Sequence, residues 1–161
     1  MPHPPTIGPL PGPGALAPQL RFVRQDRTEG DLAGLRGQVV VLCSMPSLDT
    51  STCARETRTF NELAAGLGAQ VLVVTMDLPF AMKRFCETEG IVNVHTGSDF
   101  RYRDLSEQWG AAIAEGPLRA TTARVTWVID RDGRIRYQEL TAELSSEPDY
   151  LAALNAAKAL I

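Results

Sequence analysis

The run Pro46-Ser47-Leu48-Asp49-Thr50-Ser51-Thr52-Cys53 delivers a single cysteine to the place where a strand gives way to a helix. The strand is Val39-Val40-Val41-Leu42-Cys43, and Pro46 ends its ladder because proline has no N–H to donate. Asp49, Thr50 and Ser51 all suit the helix N-cap, which puts Cys53 in or beside the first turn. There the unpaired backbone N–H groups and the positive end of the helix dipole favour a negative sulfur. The chemistry this predicts is nucleophilic attack by a thiolate at Cys53.

The other candidates are few. Cys43, Cys53 and Cys86 are too few for a disulfide scaffold, and no pair has C-x-x-C spacing, so neither a metal nor a thioredoxin-type dithiol is expected. No sequence feature calls for a cofactor. His3 lies in the N-terminal tail and His95 in a predicted strand, so a Cys-His protease dyad would rest on His95 alone. On residue type alone Cys43 and Cys86 read as small apolar core residues. His95 reads as a packed or half-exposed strand residue, Trp109 and Trp127 as core, and Arg124 as a surface charge.

These residues must be positioned by an α/β frame. Residues 1–18 hold seven of the eleven prolines, interleaved with Gly8, Gly12 and Gly14. They predict an extended, poorly ordered arm ahead of a single domain over 19–161. A short strand at Arg21 to Arg24 leads through a Glu29-Gly30-Asp31 turn to the strand at 39–43. A helix over about 50–67 puts Cys53, Thr57, Phe60, Ala64 and Leu67 on one face, turned toward the body. Val71 to Thr75 is a buried parallel strand by composition, completing a βαβ unit. A second helix runs from Pro79 to Gly90 and carries Cys86; a strand at 92–96 and a short helix at 101–109 follow. Asp132-Gly133 predicts a hairpin between 125–129 and 135–140. A last helix opens at Pro148, with Tyr150, Leu151, Leu154, Ala157 and Ile161 on its buried stripe. The expected fold is therefore thioredoxin-like, a central mixed β-sheet with helices on both faces.

At 161 residues and net charge −3, without a Lys/Arg block, the chain gives no footprint for nucleic acid or an anionic membrane. The N-terminus lacks the basic start and apolar run of a secretory signal, which predicts a cytoplasmic protein.

Pro46-x-x-x-Thr50-x-x-Cys53 resembles the active-site signature of the peroxiredoxins, and its fuller form Pro-Ser-x-Asp-Thr-x-x-Cys resembles that of their thiol peroxidase subfamily, of atypical two-cysteine type. Arg84-Phe85-Cys86, Glu89-Gly90, Ile113 to Leu118, Ala123-Arg124, Val128 to Asp130 and Glu147 to Tyr150 continue the likeness in order. The resemblance implies a peroxidase that reduces hydrogen peroxide and organic hydroperoxides. It implies Cys53 as the peroxidatic cysteine and Cys86 as the resolving one, joined in an intramolecular disulfide. Arg124 would hold the thiolate, Thr50 would hydrogen-bond the thiolate or the peroxide, and Pro46 would shield the site. Thioredoxin as reductant and a homodimer are further family expectations. Two other readings stay open: a purely structural Cys53–Cys86 bridge, and a redox sensor that signals without turnover. The family's N-terminal hairpin has no counterpart in the composition of residues 1–18. Met45 stands where relatives commonly carry an aromatic, which predicts a softer wall to the access channel.

Overall fold

The computed structural model describes all 161 residues. Seven strands form one mixed sheet: β1 (Arg21–Val23), β2 (Glu29–Asp31), β3 (Val40–Ser44), β4 (Gln70–Thr75), β5 (His95–Ser98), β6 (Val125–Ile129) and β7 (Ile135–Leu140). Their order is β2-β1-β5-β4-β3-β6-β7. The pairs β3·β4 and β4·β5 are parallel and the others antiparallel, as the βαβ reading and the Asp132-Gly133 hairpin require.

Three α-helices connect or close the sheet: α1 (Ser51–Ala64), α2 (Pro79–Glu89) and α3 (Tyr150–Lys158). Strand alternation divides the apolar residues between two faces. Val41, Cys43, Val71, Val73 and Val128 join Cys53, Phe60, Met82, Cys86 and Leu154 under the three helices. Val40, Leu42, Leu72, Val74 and Trp127 face the other way, beneath Leu105 and Trp109 of a five-residue π-helical turn (Asp104–Gln108) and its continuation. Trp109 and Trp127 are fully buried there, edge to face at 4.9 Å between ring centroids.

Several local expectations are corrected. Glu29-Gly30-Asp31 is the strand β2 rather than a turn, and the strand expected at 92–96 is displaced to His95–Ser98. The helix expected at 101–109 shortens to the π-helical turn, because Arg103 enters it at φ +57°, outside the helical region. In α3 only Ala153, Leu154 and Ala157 are buried, while Leu151 and Ile161 face solvent.

Residues 1–18 form no helix or strand of their own and lie against the body. Pro2 bridges Glu143, Thr6 bridges Ile113 and Leu16 bridges Arg134, outside β7. The Pro11 carbonyl accepts from Trp127 Nε1 at 3.0 Å. A proline-rich strap cannot make its own ladder, but its carbonyls can take up donors that burial would otherwise strand. No helix is long and apolar enough to cross a membrane.

Candidate active site

Thr50 is the residue that caps α1. Its extended backbone (φ −84°, ψ 151°) lets Oγ1 accept from the Cys53 N–H at 3.2 Å. Cys53 is thereby fixed at the third helical position. The loop ahead is pinned by Asp77, whose carboxylate accepts from the Leu48 N–H at 2.8 Å and from the Ser47 hydroxyl at 2.7 Å. Asp77 thus serves the entry to α1, while Leu78 occupies the α2 cap position.

Arg124, just ahead of β6 and far from Cys53 in sequence, brings its guanidinium to the sulfur. Nη2 donates to Cys53 Sγ at 3.4 Å, Nη1 to Glu56 Oε2 at 2.7 Å and Nε to the Leu144 carbonyl at 2.7 Å. Three partners in one plane hold the fork in place. Cys53 has no exposed surface and Arg124 is 2% exposed, so their attraction acts out of bulk water. Arg124 lines a cleft of about 750 Å³, which the Cys53 side chain does not itself line and whose walls include Pro46, Thr50, Leu118 and Leu144 together with residues 1–5. Met45 is not among them. It is fully buried, receiving the Thr57 hydroxyl on its sulfur, so the expected softer channel wall is instead part of the core beneath α1.

Of the expected site residues, Pro46, Thr50, Cys53 and Arg124 are brought together and Cys86 is not. Cys86 is buried in α2, and all three cysteines are free thiols. Burial pushes its thiol pKa up, with hydrogen bonds to Thr96 and Gln25 pulling the other way. Thr96 lies in β5 and Arg124 immediately precedes β6, three strand positions away in the sheet. At about 4.8 Å per strand this separates the surroundings of the two thiols by on the order of 10 Å or more, beyond the Cα reach of a disulfide. Cys43 is wholly enclosed, and burial drives its thiol well above the ordinary range.

Glu56 is a further residue of the site, outside the set that the sequence pattern marks. It lies three residues after Cys53, on the same helical face, and has no exposed surface. A carboxylate inside an otherwise apolar stripe demands a cation, and that was the available signal. Burial pushes the Glu56 carboxyl up to about 7 against the pull of Arg124, and Oε1 has no hydrogen-bond partner. Folded protein therefore retains a proton that an unfolded carboxyl, at about 4.5, has already released. The stabilisation from protonated Glu56 is complete below the unfolded value and is lost as pH rises through about 7. The Glu56→Gln variant lacks this titration. Its stability relative to wild type should rise by about 3 kcal/mol between pH 4.5 and pH 8 in urea melts; a difference independent of pH would show that Glu56 is ionised throughout.

Known proteins resemble this chain along most of its length. The redoxin family profile matches residues 13–154. A thiol peroxidase of Leptospira interrogans is 46% identical over 157 residues, 96% of this chain and 92% of that protein. Another from Mycobacterium tuberculosis is 46% identical over 156 residues, covering 94% and 91%. The chain belongs to the thiol peroxidase family of redoxins. The crystal structure of a peroxiredoxin-like protein from Aquifex aeolicus matches this redoxin with a TM-score of 0.93 at 43% identity, covering 98% of this chain and 92% of that one. The thioredoxin-like fold and a thiol-dependent peroxidase activity follow from these matches. Hydroperoxides are thus substrates of this thiol peroxidase family member.

Proposed function

We propose that Cys53 is the thiol that attacks the peroxide. The observation that carries this reading is the Arg124 guanidinium 3.4 Å from a sulfur held in the first turn of α1. Both the guanidinium and the helix end favour negative charge on sulfur. The Cys53 thiolate attacks one oxygen of the O–O bond; that bond breaks, and the other oxygen leaves with a proton as water or alcohol. Cys53 becomes a sulfenic acid. Arg124 also faces the cleft, where it can stabilise charge on the peroxide oxygens. Thr50 donates its hydroxyl to the Ser47 carbonyl at 3.3 Å, a long bond that a peroxide oxygen can replace. Pro46 is buried at the cleft wall, where it offers no donor to water. Thr50→Val removes both that donor and the helix cap. It should lower kcat/KM for hydrogen peroxide by about tenfold to a hundredfold and stability by about 1 kcal/mol, read by stopped-flow tryptophan fluorescence and thermal melts.

Cys86 then condenses with the sulfenic acid: the sulfur–sulfur bond forms, the S–O bond breaks and water leaves. The spacing of the two thiols requires that the first turn of α1 and part of α2 open first. Once released from its buried position, Cys86 ionises more readily. Thioredoxin reduces the disulfide, the protein acts as a homodimer, and its compartment is the cytoplasm, where such a reductant operates; these finer points rest on the family likeness. Light scattering of reduced protein tests the dimer.

One equivalent of hydroperoxide added to reduced protein should give a loss of two hydrogens and a Cys53–Cys86 linked peptide by mass spectrometry. The Cys86→Ser variant should instead hold Cys53 as a sulfenic acid that dimedone traps, with thioredoxin-driven turnover reduced by at least about tenfold. Unchanged turnover in that variant would remove Cys86 from the cycle.

A further inference from the structure

The cleft that Leu118 and Leu144 line is also lined by the chain's own N-terminal strap, residues 2–5. The strap is fastened on both sides of Arg124. The His3 N–H donates to the Ala142 carbonyl at 2.9 Å, and the Pro5 carbonyl accepts from the Ala114 N–H at 2.8 Å. Between these points His3 Nδ1 donates to the Pro4 carbonyl at 2.8 Å, which leaves Nε2 free to accept the Arg124 backbone N–H at 3.1 Å. Burial and the neighbouring Arg124 charge lower the His3 pKa, keeping the imidazole in the neutral form that this acceptor role requires.

The chemistry of the strap is unlike that of the residues around the sulfur. Pro2, Pro4 and Pro5 present rigid rings, carry no N–H and lose no side-chain freedom when a ligand settles on them. The cleft, at about 750 Å³, is of a size that accepts a small organic molecule, far more than two oxygen atoms need. We propose that residues 2–5, latched by His3 on the Arg124 amide, are a specificity wall for the organic group of a hydroperoxide. The apolar group lies against the proline rings, Leu118 and Leu144, while the O–O end reaches toward Arg124. Hydrogen peroxide has no group to place there and gains nothing from the wall.

This proposal rests on Cys53 being the reacting thiol, and hydrogen peroxide separates the two: its turnover depends on Cys53 and not on the strap. The test compares kcat/KM for cumene hydroperoxide and for hydrogen peroxide in full-length variants. The triple variant Pro2→Gly, Pro4→Gly, Pro5→Gly removes the rings. It should lose about tenfold with cumene hydroperoxide, the effect of ~60 Å² of apolar contact, and stay within about twofold with hydrogen peroxide. His3→Ala should show the same selective loss. His3→Gln should keep the wild-type ratio, because its side-chain oxygen can stand where Nε2 accepts. A triple variant with the wild-type ratio, or an equal fall for both peroxides, overturns the wall; an unchanged ratio in His3→Ala overturns the latch.

Discussion

Cys53→Ser is expected to abolish peroxide reduction, lowering kcat/KM by at least about four orders of magnitude, the scale on which loss of an enzyme nucleophile is felt. Serine has nearly the size of cysteine and can sit in the same buried position beside Arg124. Its hydroxyl, however, is a far weaker acid than any thiol, and a neutral oxygen is a poor nucleophile toward the O–O bond. Cys86 does not substitute for it. Burial raises that thiol, and the polar side chains that act on it, Thr96 and Gln25, are not cations. Peroxide consumption followed in stopped flow, beside a thermal melt within a few degrees of wild type, separates loss of chemistry from loss of fold. Retention of more than a hundredth of the wild-type rate would place the reacting thiol elsewhere.

How far the sequence alone reveals this site depends on the range over which each residue is placed. Thr50 and Cys53 are legible because strand, proline, cap and helix follow one another within fourteen residues, and each step obeys local backbone chemistry. Arg124 is 71 residues from Cys53, and nothing local marks its guanidinium as the sulfur's partner. Only the family pattern singles it out. Glu56 is an intermediate case: helical periodicity places it on the buried face, yet periodicity read for apolar residues alone skips it. His3 is the least legible. Its neighbours have the composition of a disordered arm, and the strap is fixed by isolated bridges and single carbonyl acceptors that leave no period in the sequence. In α3 the error has another source, since a nine-residue helix against β6 buries a narrow stripe and leaves Leu151 outside.

Arg124→Met should be costly twice, to activity and to stability, and the two costs can be separated. Loss of the guanidinium removes the positive charge from Cys53 and from the cleft, which should lower kcat/KM for hydrogen peroxide by about a hundredfold to a thousandfold. It also leaves Glu56 buried without its cation, for which the expected penalty at pH 8 is about 3–5 kcal/mol. That second cost depends on pH. Glu56 without Arg124 relieves its isolation by keeping its proton, so its carboxyl should titrate above the value of about 7 it has in the pair, and the variant should recover stability as pH falls toward 5. The double variant Glu56→Leu, Arg124→Met removes the isolated carboxyl and should regain most of the lost stability at pH 8, since an apolar pair can replace a buried ion pair at little cost. Activity should stay as low as in Arg124→Met, because no apolar side chain supplies charge to the sulfur. Urea melts and peroxide kinetics on the two variants therefore distinguish the roles of one residue. Recovery of both stability and activity in the double variant would mean that Arg124 serves Glu56 alone, with the peroxide reaction drawing its electrostatic support from the α1 N-terminus.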